Sequence, residues 1–243
     1  MQMTSSPPVK FGLIVPGANP IMQKELTAWF PPGSTSEVRG IPSPSNGKGL
    51  VPDTIPAYHD SVRSLAETLD KSMDRVVYGC TAGAFIAGVK EEGKLAEDLT
   101  KITGRPSVTT GRAMADVLTE CGARRVAVLS PYSEETNRFL EIYLGSFGIA
   151  IENLARMDLT PYNRRYADIK TEDVLTFARG AMTDRCDALF IVCSLLPTYA
   201  ALGTLRQEFG RPVWSSISGT AWKVLRSLGL PMPDAPMPVP AAH

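Results

Sequence analysis

The sequence predicts an α/β protein built as two similar lobes with parallel sheets, and three observations carry that prediction. Strand-like apolar runs alternate with helical patterns along the chain. Several of those runs are apolar at consecutive positions, as in Val126-Ala127-Val128-Leu129, which suits strands buried on both faces of a parallel sheet. Landmarks in the first half also recur in the same order in the second.

The elements follow in order. Strands are predicted at Val9–Val15, Arg75–Tyr78, Ser107–Thr109, Arg125–Leu129, Ala188–Val192 and Val213–Ser215. Helical spacing covers Ser61–Met73, where Val62, Leu65, Ala66 and Leu69 share a face, and also Phe139–Phe147 and Val174–Met182. The stretch from Pro31 to Pro56, rich in Pro, Gly and Ser, reads as a long loop, either a lid or a surface excursion. Residues 233–243 read as a loose tail.

The repeat joins three landmarks. Gly104-Arg105-Pro106 and Gly210-Arg211-Pro212 each lead into a short strand and a helix that carries Val-Leu and ends at glycine. Upstream, Pro16 precedes Cys80 by 64 residues and Pro131 precedes Cys193 by 62. This places a first lobe at 1–115 and a second at 116–232, with exchange of terminal helices between lobes left open. Ligands of open α/β sheets sit beyond the carboxyl ends of the strands. Cys80 and Cys193 both end strands, so a pseudo-twofold relation points them into one cleft.

Composition narrows the function. The formal net charge is zero and aromatics are 7%, so no basic, base-stacking surface for nucleic acid is present. No apolar run approaches the roughly 20 residues that span a bilayer. Residues 1–8 lack the charged start and apolar stretch of a signal peptide. The expected compartment is the cytoplasm, where thiols stay reduced. Four cysteines in 243 residues do not make a disulfide scaffold, and two histidines offer little for zinc, so no metal site is expected. Cys121 and Cys186 read as packing residues.

The strand-end loops hold the candidate chemistry. Thr81-Ala82-Gly83 after Cys80 opens a helix whose N–H groups suit a carboxylate and whose dipole favours thiolate. Asn19 reads either as a helix N-cap or as an amide for a carboxylate. Tyr132 offers a phenolic donor. Thr198 reads equally as a ligand contact or an ordinary hydroxyl at a helix start, and Glu134 and Glu135 as plain first-turn acids.

Val15-Pro16-Gly17-Ala18-Asn19-Pro20, Tyr78-Gly79-Cys80-Thr81, Ser130-Pro131-Tyr132 and Val192-Cys193-Ser194 together resemble the maleate cis-trans isomerase and arylmalonate decarboxylase group of the aspartate/glutamate racemase superfamily. The resemblance spans about residues 9–230. It implies two pseudo-symmetric Rossmann-like lobes, a cofactor-free site between them and a small carboxylate or dicarboxylate substrate. It implies Cys80 and Cys193 as the catalytic pair, with Asn19, Thr81, Tyr132, Asn163 and Ser194 around the substrate. The decarboxylase branch typically keeps only the second thiol, so the presence of Cys80 favours the isomerase or racemase branch. The expected reaction is maleate to fumarate through a Cys80 adduct, with Cys193 as acid and base. A two-thiol racemase, a decarboxylase and a two-lobed binding protein are the alternatives. A homo-oligomer is expected on general grounds.

Overall fold

The computed structural model describes residues 6–17, 19–44, 49–162 and 166–233. In chain order the elements are β1 (Lys10–Pro16), α1 (Pro20–Ala28), β2 (Thr35–Ile41), α2 (Ile55–Glu67), β3 (Arg75–Tyr78), α3 (Thr81–Thr103), β4 (Ser107–Thr109) and α4 (Thr110–Glu120). They continue with β5 (Arg125–Ser130), α5 (Glu134–Gly145), β6 (Ala150–Arg156), α6 (Thr171–Ala181), β7 (Ala188–Ile191), α7 (Tyr199–Phe209), β8 (Val213–Ser215) and α8 (Ser216–Ser227).

The strands form two four-stranded parallel sheets, ordered β2-β1-β3-β4 and β6-β5-β7-β8. The identical order is the structural form of the sequence repeat. Central strands are the apolar runs: β1 buries five consecutive residues and β5 likewise. The α/β architecture is as expected from the alternation.

Three elements differ clearly from the sequence reading. The 31–56 stretch contains β2, and residues 150–156 form β6, neither of which was expected. Both are edge strands, mostly half-exposed, with polar residues such as Glu37, Arg39 and Asn153 where an apolar run is absent. The helix expected over Ser61–Met73 instead occupies Ile55–Glu67. Pro56 sits in its first turn, where a missing N–H does no harm. That shift brings Tyr58 and His59 onto the helix.

The halves are tied together tightly. Helices α4 and α8 pack on each other, with Thr220 Oγ1 donating to Thr110 Oγ1 at 3.3 Å and Lys223 paired to Asp116. The boundary drawn at 115/116 falls inside α4. Glu25 of α1 accepts from the Thr198 N–H at 3.2 Å and from its hydroxyl at 3.0 Å. Glu92 of α3 accepts from Tyr143 of α5 and from the Arg112 N–H. Burial pushes the pKa of both carboxyls up, against these hydrogen bonds. Among the described residues no helix is long and apolar enough to cross a membrane.

Candidate active site

Each thiol sits just past the carboxyl end of a strand next to its sheet centre. Cys80 follows β3 and is the N-cap of α3, whose Gly83 N–H points at Sγ from 3.3 Å. Cys193 follows β7 with φ of 98°, in the left-handed region that disfavours residues with a Cβ. Its backbone N–H donates to Ser216 Oγ at 3.0 Å, and the Leu195 N–H reaches its Sγ at 3.5 Å. Both residues are 3% exposed.

The equivalent positions that open α4 and α8 brace these strand ends. Thr110 Oγ1 donates to the Tyr78 carbonyl at 3.0 Å, as Ser216 Oγ holds Cys193. Ser194 then links the two halves at the site. Its hydroxyl donates to the Gly79 carbonyl at 2.9 Å, one residue before Cys80. Asn19 Nδ2 donates to the Ser194 carbonyl at 3.2 Å and lies 3.1 Å from its hydroxyl. Asn19 is therefore both the N-cap of α1, through Oδ1 and the Met22 N–H, and a bridge to the Cys193 turn.

The electrostatics correct one expectation. The α3 N-terminus does not bring Cys80 below the ordinary thiol range. Burial dominates and pushes its pKa up, against donors from Tyr58, Gly83 and Tyr78. Burial also pushes Cys193 up, to about 11, against a hydrogen bond from Tyr132 and the Leu195 N–H. Cys80 is among the groups that raise Cys193, so the two sulfurs share one electrostatic environment.

Tyr132 lies between the thiols electrically. Burial raises its pKa well above the ordinary phenol value, and both cysteines add to the rise. Its ring meets Phe85 of α3 edge-to-face at 5.6 Å, which fixes it across the interface. Thr81 Oγ1 is buried and has no partner among the described residues. A buried hydroxyl left unpaired is costly, so this one is available to a ligand oxygen. Asn163 lies outside the described residues. Thr198, weighed as a ligand contact, spends its hydroxyl on Glu25 and Ser215.

A cleft of about 600 Å³ opens beside this group, with Leu50, Ala82, Ile86, Tyr132 and Tyr166 among its walls. The cysteines do not line it, but Tyr132 and Ala82 join it to them. Tyr58, Tyr78 and Tyr166 were not identified from sequence. Tyr78 had a signal, since residues two apart along an extended chain face the same way. Tyr58 had none, lying a helix away.

Two α/β sheets of identical order, each presenting a cysteine past a strand next to its centre, define a two-thiol protein with its candidate site where the halves meet. The chain belongs to the arylmalonate decarboxylase family, whose model matches residues 11–237. It is 26% identical to maleate isomerase of Nocardia farcinica over 92% of this chain and 91% of that one. It is 27% identical to arylmalonate decarboxylase of Bordetella bronchiseptica over 94% and 93%. A cysteine variant of Nocardia farcinica maleate cis-trans isomerase, solved with a covalently bound succinylcysteine intermediate, superposes with a TM-score of 0.81 at 23% identity, covering 95% and 97%.

Proposed function

We propose that this protein is a cis-trans isomerase of maleate or a closely related small enedioate, working through Cys80 and Cys193 without a cofactor. The observation that carries the reading is the pairing of unequal thiols in one electrostatic environment. Burial raises both, but Cys80 caps a helix N-terminus and receives the Gly83 N–H, whereas Cys193 lacks that helix end and is pushed up to about 11. The succinylcysteine in the Nocardia enzyme supports covalent addition as the chemistry.

The steps balance. Cys80 thiolate forms a C–S bond to one alkene carbon, and the π pair moves toward the neighbouring carbon and its carboxylate. Cys193 gives its proton to that neighbouring carbon and becomes thiolate. The former double bond, now single, rotates. Cys193 takes the proton back, the C–S bond breaks toward sulfur, and the trans product leaves with the Cys80 thiolate and the Cys193 thiol restored. The Thr81 hydroxyl, Tyr132 and Ser194 are assigned to the carboxylates and the developing charge. Asn19 joins them by exchanging a Ser194 bond for a ligand oxygen. Asn163 is assigned to the substrate by the family resemblance alone. Four free cysteines fit a reducing compartment such as the cytoplasm.

Incubation with maleate, followed by proton NMR for fumarate, tests the proposal. Cys80→Ala is expected to abolish turnover, and Cys193→Ser to accumulate a succinyl adduct visible by mass spectrometry. Full turnover in Cys80→Ala removes the nucleophile. The relative in Bordetella bronchiseptica supports decarboxylation as a second reading. That reading predicts carbon dioxide from a substituted malonate that survives Cys80→Gly and stops with Cys193→Ser.

A further inference from the structure

Two hydroxyls converge on Cys80 that the proposed reaction leaves unused. Tyr58 of α2 brings Oη to 3.5 Å from Sγ. Tyr78, the last residue of β3, also interacts with that sulfur, although its geometry falls short of a full hydrogen bond. Tyr58 is 5% exposed and Tyr78 fully buried. Tyr78 Oη has no other partner among the described residues. Gly83 makes the convergence sterically feasible. A Cβ there would fall against Tyr78 Oη and 3.0 Å from Cys80 Sγ. The glycine leaves the space in which thiol, phenol and helix N–H meet.

A neutral thiol is a weak acceptor, and a thiolate is a strong one. An orphaned buried hydroxyl therefore favours ionisation of the sulfur it faces. We infer that Tyr58 and Tyr78 are positioning residues that offset the burial of Cys80, so that it ionises ahead of Cys193 and is the thiolate of the pair. This rests on the reading of Cys80 as nucleophile.

Ionisation breaks the Cys80 S–H bond, leaves the electron pair on sulfur and releases the proton to solvent. The phenols keep their protons, because burial holds both above the ordinary range. The other titratable groups supply no countercharge. His59 of α2, edge-on to Tyr78 at 6.1 Å, is held neutral by burial, its pKa lowered to about 4. Glu92 of α3 is pushed toward its neutral form by burial. Tyr132 and Cys193, from the second half, are pushed up by burial, with Cys80 adding to the rise in both, so they stay neutral. Stabilisation is left to the two hydroxyls, the Gly83 N–H and the α3 N-terminus.

The test is the pH dependence of iodoacetamide alkylation at each cysteine, read by peptide mass, in the full chain and in Tyr58→Phe and Tyr78→Phe. Cys80 is expected to show the lower midpoint of the pair. Tyr58→Phe is expected to raise it by about one pH unit, a tenfold smaller thiolate fraction on the acid side, while Cys193 stays put. With maleate, kcat/KM should fall about tenfold below the midpoint and recover above it. An unchanged Cys80 midpoint in both variants, or Cys193 alkylating at lower pH than Cys80, overturns the inference. If Tyr58→Phe fails to fold by circular dichroism, Tyr78→Phe carries the same test. Alkylation needs no turnover: a shifted midpoint without fumarate formation refutes the isomerase reading alone, and fumarate with an unshifted midpoint refutes this inference alone.

Discussion

Replacement of Asn19 separates three roles that one side chain fills. Its backbone has φ of 26° and ψ of 68°, so it sits in the left-handed region. Its Oδ1 accepts the Met22 N–H at 3.0 Å. Its Nδ2 donates to the Ser194 carbonyl in a buried setting. Asn19→Gly keeps the backbone conformation and loses only a few tenths of a kcal/mol as a cap. Its main loss is the Ser194 carbonyl, left without this donor, so about 2 kcal/mol in all is expected. Asn19→Ala adds about 1 kcal/mol for the lost cap and about 1 for left-handed backbone, or roughly 4 together. Urea unfolding midpoints should therefore rank the native protein above the glycine variant and that above the alanine variant. Because Ser194 also binds the Gly79 carbonyl beside Cys80, turnover of maleate should fall in both variants. A glycine variant within about 0.5 kcal/mol of the native protein, with full turnover, would refute the bridging role. Alanine as stable as glycine would refute the strain argument.

Three further outcomes follow from the geometry. Cys121→Ala and Cys186→Ala remove buried sulfurs that precede the starts of β5 and β7, whereas the thiol pair follows strand ends; each should cost roughly 1 kcal/mol in denaturant and leave fumarate production intact. Gly83→Ala forces a methyl group against Tyr78 Oη and Cys80 Sγ; a stability loss of about 1–3 kcal/mol and a sharp fall in kcat are expected, and native kcat would show that the close approach is unnecessary. Burial holds the pKa of Glu92 above its ordinary 4.5, so between 4.5 and the raised value the folded chain binds a proton that the unfolded chain releases. Stability then drops as pH rises through that window and is level beyond it. Glu92→Gln should flatten the profile without abolishing the share that Glu25 contributes in the same direction, and superimposable profiles for variant and native protein would count against it.

What was legible in the sequence follows from where each residue lies. β3, β4 and β8 match their expected bounds for two reasons: β3 is a central apolar run, while β4 and β8, though edge strands, each follow the repeated Gly-Arg-Pro that marks where they begin. β2 and β6 escaped because an edge strand needs neither face fully apolar, and β2 also lay in a stretch dominated by Pro and Gly. The positions of Cys80 and Cys193 were legible through the repeat. The hydroxyl of Tyr58 was not, since a helix-to-thiol contact across 22 residues leaves no local pattern. The direction of the thiol pKa was misjudged for a related reason. A helix N-terminus is visible in sequence, whereas the depth of burial that outweighs it is a property of the assembled halves.

The proposed reaction gives two like cysteines unlike roles, and their surroundings within the repeat differ in a way that fits it. Thr110 and Ser216 hold the two strand ends at equivalent places, so the scaffold is common to both. The divergence begins one residue later. Cys80 passes directly into α3 at Thr81, and Sγ receives the first-turn N–H of Gly83. Cys193 turns away through a left-handed φ and five intervening residues before α7 starts at Tyr199. It forgoes the helix N-terminus that Cys80 enjoys. The turn instead supplies Ser194, which binds the strand end of the other half. One copy of the motif thus offsets part of the burial that opposes a charge on sulfur. The other gives up that advantage for the link between the two strand ends, and in the proposed reaction it keeps its proton for the carbon beside the adduct.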